Sequence, residues 1–324
     1  MSTAPSPGAG VVVLENDALA VRVLCSHGGT IASIVDRHTG LDALWQRDRH
    51  APAACTRSLG PAGELSSDSF LELFCGGWFT MFPVVGGPLP NDPRSHLHGE
   101  VVRLPWEIES QSRHSLALRV QTVRSPFVLT RSLALESGTL QIDDRITNAG
   151  DQSATYLYGH HPCLARATFA GGRLDMTVGS ATIPHGVAYV SNDCLEPTTS
   201  FTWSRAFSRA KGMLDLADVP FEADGRQVHA LLHPTLGQAR LTCPQRRRAF
   251  TLTWDIAEQP YVLLWEDFRS VAGYPLWGAG DTLAVEFSTN PGRSADDALT
   301  AGAFRSLAPG EEVAFSSTAG WSDM

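Results

Sequence analysis

Lysine is almost missing from this chain: of 25 basic residues among 324, only Lys211 is not an arginine. Arginine forks suit hydroxyl and carboxylate recognition, but genomic base composition produces the same bias, so no function is drawn from it. An excess of positive charge is missing too. The formal charge of -9 at pH 7 argues against a protein whose main task is gripping nucleic-acid phosphates or anionic lipid. No uninterrupted apolar run reaches the ~18 residues that a membrane-spanning helix needs. The opening, Met1 to Gly10, is rich in Ser, Pro and Gly and has no basic or apolar signal-peptide region. The expectation is a disordered first decade and a cytoplasmic protein. The six cysteines include no C-x-x-C pair and no tight Cys/His cluster, so free thiols in a reducing compartment are expected. A Gly-rich phosphate loop after a strand, a G-x-S-x-G elbow and a basic patch interleaved with aromatics are all lacking, which removes the commonest nucleotide, hydrolase and nucleic-acid readings.

Helical periodicity is scarce as well. The pattern that is present has period two. Leu19, Val21 and Val23 alternate with smaller or polar residues, as do Leu116, Leu118 and Val120. Further strand-length runs are Phe127 to Leu135, Val228 to Leu232, Ala249 to Trp254, Tyr261 to Trp265, Leu283 to Ser288 and Glu312 to Ser316. Gly, Pro, Asn and Asp punctuate them about every ten residues, the signature of an antiparallel sandwich or barrel. The hydrophobic content of 43% suffices for one large core, and no boundary divides residues 11–324. One short helix is expected over Ala295 to Phe304, with Ser294 as its cap and Asp296 and Asp297 in its first turn. Arg47 to Asp68 and Gly76 to Arg94 read as long loops, commonly the rims of binding sites.

Three separated strings carry candidate chemistry: Leu97-His98-Gly99, Gly159-His160-His161-Pro162 and Ala284-Val285-Glu286-Phe287. With Gly28-Gly29-Thr30-Ile31, Asp36-Arg37-His38-Thr39-Gly40, Leu44-Trp45, Leu140 to Asn148 and Leu307-Ala308-Pro309-Gly310-Glu311, the chain resembles the aldose 1-epimerase, or galactose mutarotase-like, superfamily. The resemblance implies an all-β antiparallel supersandwich with few short helices, binding a small-molecule sugar in a cleft on one sheet, with no metal or other cofactor. It also implies Glu286 as general base, His161 as general acid, and His98 as hydrogen-bond donor at the anomeric end. Alternation along Leu283 to Ser288 sets Glu286 on the face opposite Val285 and Phe287.

Gly76-Gly77-Trp78, Phe82-Pro83, His98-Gly99 and Trp106-Glu107 resemble the hexose-6-phosphate epimerase-like branch. Cys75 and Val102, however, stand where that branch has arginines, which speaks against a phosphorylated substrate and leaves open a neutral sugar, or an acidic one met by Arg94 or Arg103. Trp78, Phe79 and Trp277 are candidate stacking residues for sugar C–H faces. His96 lies two residues from His98, and His160 competes with its neighbour His161. The family's mid-chain aspartate has no clear counterpart. Sugar binding without turnover on the same scaffold is the main alternative, and lyase or hydrolase chemistry on an oligosaccharide is the next.

Overall fold

The computed structural model describes residues 10–47, 70–71, 74–92, 95–184, 194–197, 199–208 and 210–324. Two large antiparallel sheets face each other. In the ten-stranded sheet the spatial order begins Val11–Glu15, Leu19–Leu24 and Thr30–Asp36. Next come β1 (Trp78–Met81) and β2 (Gly159–Ala165), followed by β5 (Asp281–Ser288), β4 (Tyr261–Phe268) and β3 (Gln227–Pro234). Val178–Thr182 and Ser200–Phe201 complete it. The eight-stranded sheet runs Leu174–Asp175, Gln238–Cys243, Arg248–Trp254, Glu312–Asp323, Thr139–Asn148, Phe127–Glu136, Ser115–Gln121 and Glu107–Gln111. The fold is thus an all-β sandwich with few, short helices. Residues 1–9 of the expected disordered start, and Arg94, lie outside the described residues.

Burial explains why the two sheets read differently in sequence. Phe127–Glu136 alternates buried and more exposed positions, because its outer face meets water. Every residue of β5 is buried, because the sandwich core covers one face and a second apolar cluster covers the other. That second cluster includes Trp45, Phe70, Phe74, Phe79, Met81, Leu97 and Cys163. The core between the sheets is tied by rings: Trp254 stacks on Phe287 with centroids 4.8 Å apart, and Tyr158 stacks on Phe315 at 4.0 Å.

The short helices include α1 (Arg166–Phe169), α2 (Ala295–Thr300) and a single 3-10 turn at Pro244–Arg246. The Ser294 hydroxyl accepts from the Asp297 amide at 3.1 Å while the Asp297 carboxylate accepts from the Ser294 amide at 3.0 Å, a reciprocal capping box. The helix stops four residues short of the expected Phe304, because Gly302 turns left-handed at φ 64 and breaks the repeat.

Candidate active site

Register sets the floor of the cleft. On β2 the side chains of His161 and Cys163 point to the open face, whereas His160 and Leu164 point into the sandwich. Gly159 pairs with Ser288 and Cys163 with Ala284, so His161 lies opposite Glu286. On its other side His161 pairs with Phe79 of β1. Glu286 pairs with Leu263 of β4, and Leu263 with Leu231 of β3. A row Phe79, His161, Glu286, Leu263, Leu231 therefore crosses five strands. One step along lies a second row: Cys163, Ala284, Trp265, His229.

Within the first row His161 Nε2 stands 3.1 Å from Glu286 Oε1, both side chains 5% exposed. Phe79 stacks on the imidazole at 4.5 Å and 24°. Nδ1 of the same ring meets Cys163 Sγ at 3.3 Å. Burial works against an imidazolium here, but the facing Glu286 carboxylate and Cys163 outweigh it and lift His161 to about 10. His161 is therefore a proton carrier already paired with a carboxylate.

The third group arrives from a loop. His98 sits at φ 59, its amide donating to the Gly86 carbonyl at 2.9 Å. Gly99 after it has φ 76, and a Cβ there would fall 2.1 Å from the Phe82 carbonyl oxygen; only glycine lets the loop pass so close. The turn swings the His98 ring edge-on to His161 with centroids 5.3 Å apart, against Phe70 and Phe79. Burial, then His161 and Arg103, hold His98 well below its usual range. It is a neutral imidazole, and its Nδ1 is buried with no hydrogen-bond partner among the described residues.

A cavity of about 230 Å³ opens over this constellation, reached by His98, His161, Glu286, Gln227, His229 and Arg293 among its polar lining. The rest of its wall is apolar or aromatic, with Phe70, Phe74, Leu263, Trp265, Tyr274 and Leu276 prominent. Gln227 and His229, both buried, are polar contributors that the motif search passed over. Their signal is the alternation Gln227-Val228-His229-Ala230 on β3, where Val228 and Ala230 are fully buried in the core. Among the described residues no group of three or more His, Cys, Asp or Glu is placed to hold a metal ion.

Several candidate residues lie elsewhere. Trp78 and His160 face the sandwich core, not the cleft: the Trp78 indole N–H donates to His160 Nδ1 at 3.0 Å. Nδ1 accepts, so the proton sits on Nε2, which meets the Tyr158 hydroxyl at 2.7 Å. That hydroxyl donates to Asp144 Oδ2 at 2.5 Å, and Asp144 takes two bonds from Arg131, at 2.7 and 2.5 Å. Burial drives His160 down to about 3 against the pull of Asp144. His160 is thus a neutral structural link between the sheets.

Arg103 and His96 are buried but neither lines the cleft. Burial, followed by Arg103 and Arg124, brings His96 down to about 4. Trp277 is 69% exposed and lies outside the cleft wall, which its neighbours Tyr274, Pro275 and Leu276 build. Glu266, in the polar run at the end of β4, is ion-paired with Arg226 at 2.7 Å.

The two facing sheets with a cleft over one of them make an all-β sandwich, the fold also found in solved galactose mutarotase-like proteins. No protein-family model matches the sequence, and no curated protein sequence matches it. Solved structures do. The Slr1438 protein from Synechocystis sp. PCC 6803 superposes with a TM-score of 0.68 at 18% identity, covering 100% of this chain and 99% of that one. A galactose mutarotase-like protein from Lactobacillus casei gives 0.65 at 16% identity, over 97% of this chain and 100% of the other. One from Clostridium acetobutylicum gives 0.65 at 13%, over 97% and 95%. At these identities the likeness concerns the fold.

Proposed function

We propose that the protein is an aldose 1-epimerase, interconverting the anomers of a reducing sugar by acid-base ring opening. The observation that carries this reading is the His161–Glu286 pair, 3.1 Å apart on the floor of the cleft, with His98 beside it. Glu286 takes the proton of the C1 hydroxyl while His161 gives its proton to the ring oxygen, and the bond from C1 to that oxygen breaks. Rotation about C1–C2 and the reverse transfers close the ring from the other face. General acid-base catalysis of this kind works when each group gains or loses acidity as the proton moves. Here the coupling is built in: once Glu286 is protonated, the charge that held the His161 proton is gone, so His161 becomes the stronger acid in the same step. His98, neutral and with its Nδ1 unpartnered among the described residues, is positioned to hydrogen-bond the anomeric or neighbouring hydroxyl.

One observation favours a second reading, sugar binding without turnover. An imidazolium lifted to about 10 releases its proton reluctantly at neutral pH. Proton exchange NMR between anomers, over a panel of free aldoses, separates the two. The enzyme reading expects acceleration in the wild type and its loss, by at least about a hundredfold, in Glu286→Gln, with sugar binding retained. Binding in both proteins and acceleration in neither would establish the second reading.

A further inference from the structure

We infer that the sugar carries an apolar group at its exocyclic carbon, as a 6-deoxyhexose does, and that neither a free hydroxymethyl nor a phosphate is the preferred substituent there. The inference rests on the ring-opening reading, which places the ring oxygen at His161. In a pyranose the carbon next to that oxygen bears the exocyclic group, so the group projects among the side chains around His161. Apart from Glu286, Cys163 and the His98 ring, those side chains are aromatic. Trp265 lies 5.7 Å and Phe74 6.3 Å from the His161 ring, centroid to centroid, and the two rings are 6.1 Å from each other. Leu71, Val271 and Leu276 extend the apolar wall of the cavity.

Of the other polar groups, His229 borders this corner as the cross-strand partner of Trp265, and Gln227 stands farther along the same strand. Gln227 and His229 lie on β3, two strands beyond β5. The Gln227 side-chain oxygen is buried without a hydrogen-bond partner among the described residues, and Gln227 is 5% exposed and lines the cavity. It is an acceptor waiting for a hydroxyl donor on the far side of the ring. Arg293 is the guanidinium that lines the cavity among the described residues. Its backbone abuts Gly86 and Gly87, on the side from which His98 enters. Among the described residues the cation of the aromatic corner is His161, already paired with Glu286, so a phosphate there would be desolvated without a guanidinium, and a hydroxyl there would give up its water hydrogen bonds. A methyl group gains by the same burial.

The test compares D-glucose, 6-deoxy-D-glucose and D-glucose 6-phosphate, with the matching galactose series, in anomer-exchange NMR. The expected result is a kcat/KM for the deoxy sugar about tenfold or more above its parent, with the phosphate below both. Parent hexose equal or faster, or phosphate fastest, overturns the inference while leaving anomerisation intact. If no sugar is turned over, the ring-opening reading fails by itself. The affinity ratio of deoxy to parent sugar, measured by titration on Glu286→Gln, then decides the binding preference: a ratio near one overturns it. Phe74→Asn places an amide beside the His161 ring and is expected to shrink the deoxy preference at least threefold.

Discussion

His161 and His160 are adjacent in the chain and opposite in character. One faces a carboxylate across a strand pair and is lifted to about 10; the other is sealed in the core, bonded at both nitrogens, and driven to about 3. Cys163 completes the surroundings of His161 as the partner of Nδ1. A thiol sulfur is a weak acceptor, but it is the group that meets this nitrogen in a buried place, where an unsatisfied N–H is costly. Cys163→Ala is therefore expected to lower the His161 titration midpoint by about one pH unit, equivalent to ~1.4 kcal/mol. Cys163→Ser, which keeps an acceptor, should lower it less. The midpoint is read from the imidazole Hε1 shift in NMR, and an unchanged midpoint in the alanine variant would show that Cys163 only fills space. Glu286→Gln should move the same midpoint much further down, since burial then acts unopposed.

Strand β2 is held from behind by a buried polar chain that ties it to Phe127–Glu136 and Thr139–Asn148. Arg131 is 1% exposed and makes a two-pronged bond to Asp144, whose carboxyl burial would push up but which Arg131 holds below the usual range. Arg131 Nη2 also donates to the Thr80 hydroxyl on β1. Removing one partner of such a pair strands the other charge in the core. Arg131→Met should cost about 3–5 kcal/mol in denaturant unfolding. By comparison, Ser294→Ala removes the cap of α2 and should cost only about 1 kcal/mol. Equal losses in the two variants would mean that the cross-sheet chain is not what holds β2.

For the whole molecule, the shifted histidines set opposing limits on stability. The His161 contribution is fully present below the ordinary histidine value near 6.5 and is lost as pH rises through about 10, because only the native state keeps the proton. The His160 contribution has the opposite sign. The native ring stays neutral down to about 3 while the unfolded chain takes a proton below about 6.5, so stability falls as pH drops through that window. His98, also held low by burial, adds to the acid side. The melting temperature is therefore expected to peak near pH 6.5. In Glu286→Gln the decline between about pH 7 and 10 should flatten. An unchanged alkaline decline in that variant, followed by differential scanning fluorimetry, would locate its source elsewhere.

Much of this was legible in the chain alone. The all-β class followed from period-two alternation, which is local: each strand shows its own burial pattern whatever it pairs with. The Ser294 cap and the acidic first turn of α2 were legible for the same reason, since they are neighbours in the chain; the reciprocal bond to Asp297 appears only in the structure. The parity of Glu286 could also be read, because Val285 and Phe287 flank it and are both fully buried. Other assignments are not local. Trp78 and Phe79 are adjacent aromatics, and a one-residue change of parity exchanges core for cleft; only the pairing of β1 with β2 decides that Phe79 stacks on His161 while Trp78 bonds His160. Gln227, His229 and Trp265 reach the site because β3 and β4 lie beside β5, a neighbourhood joining residues about 20 to 60 positions apart that no short window contains. Sequence alone determined the fold class and the kinds of group available for proton transfer. Tertiary structure decided which of them meet, and that the corner beside His161 is aromatic, because strand pairing and burial are properties of the assembled sheets.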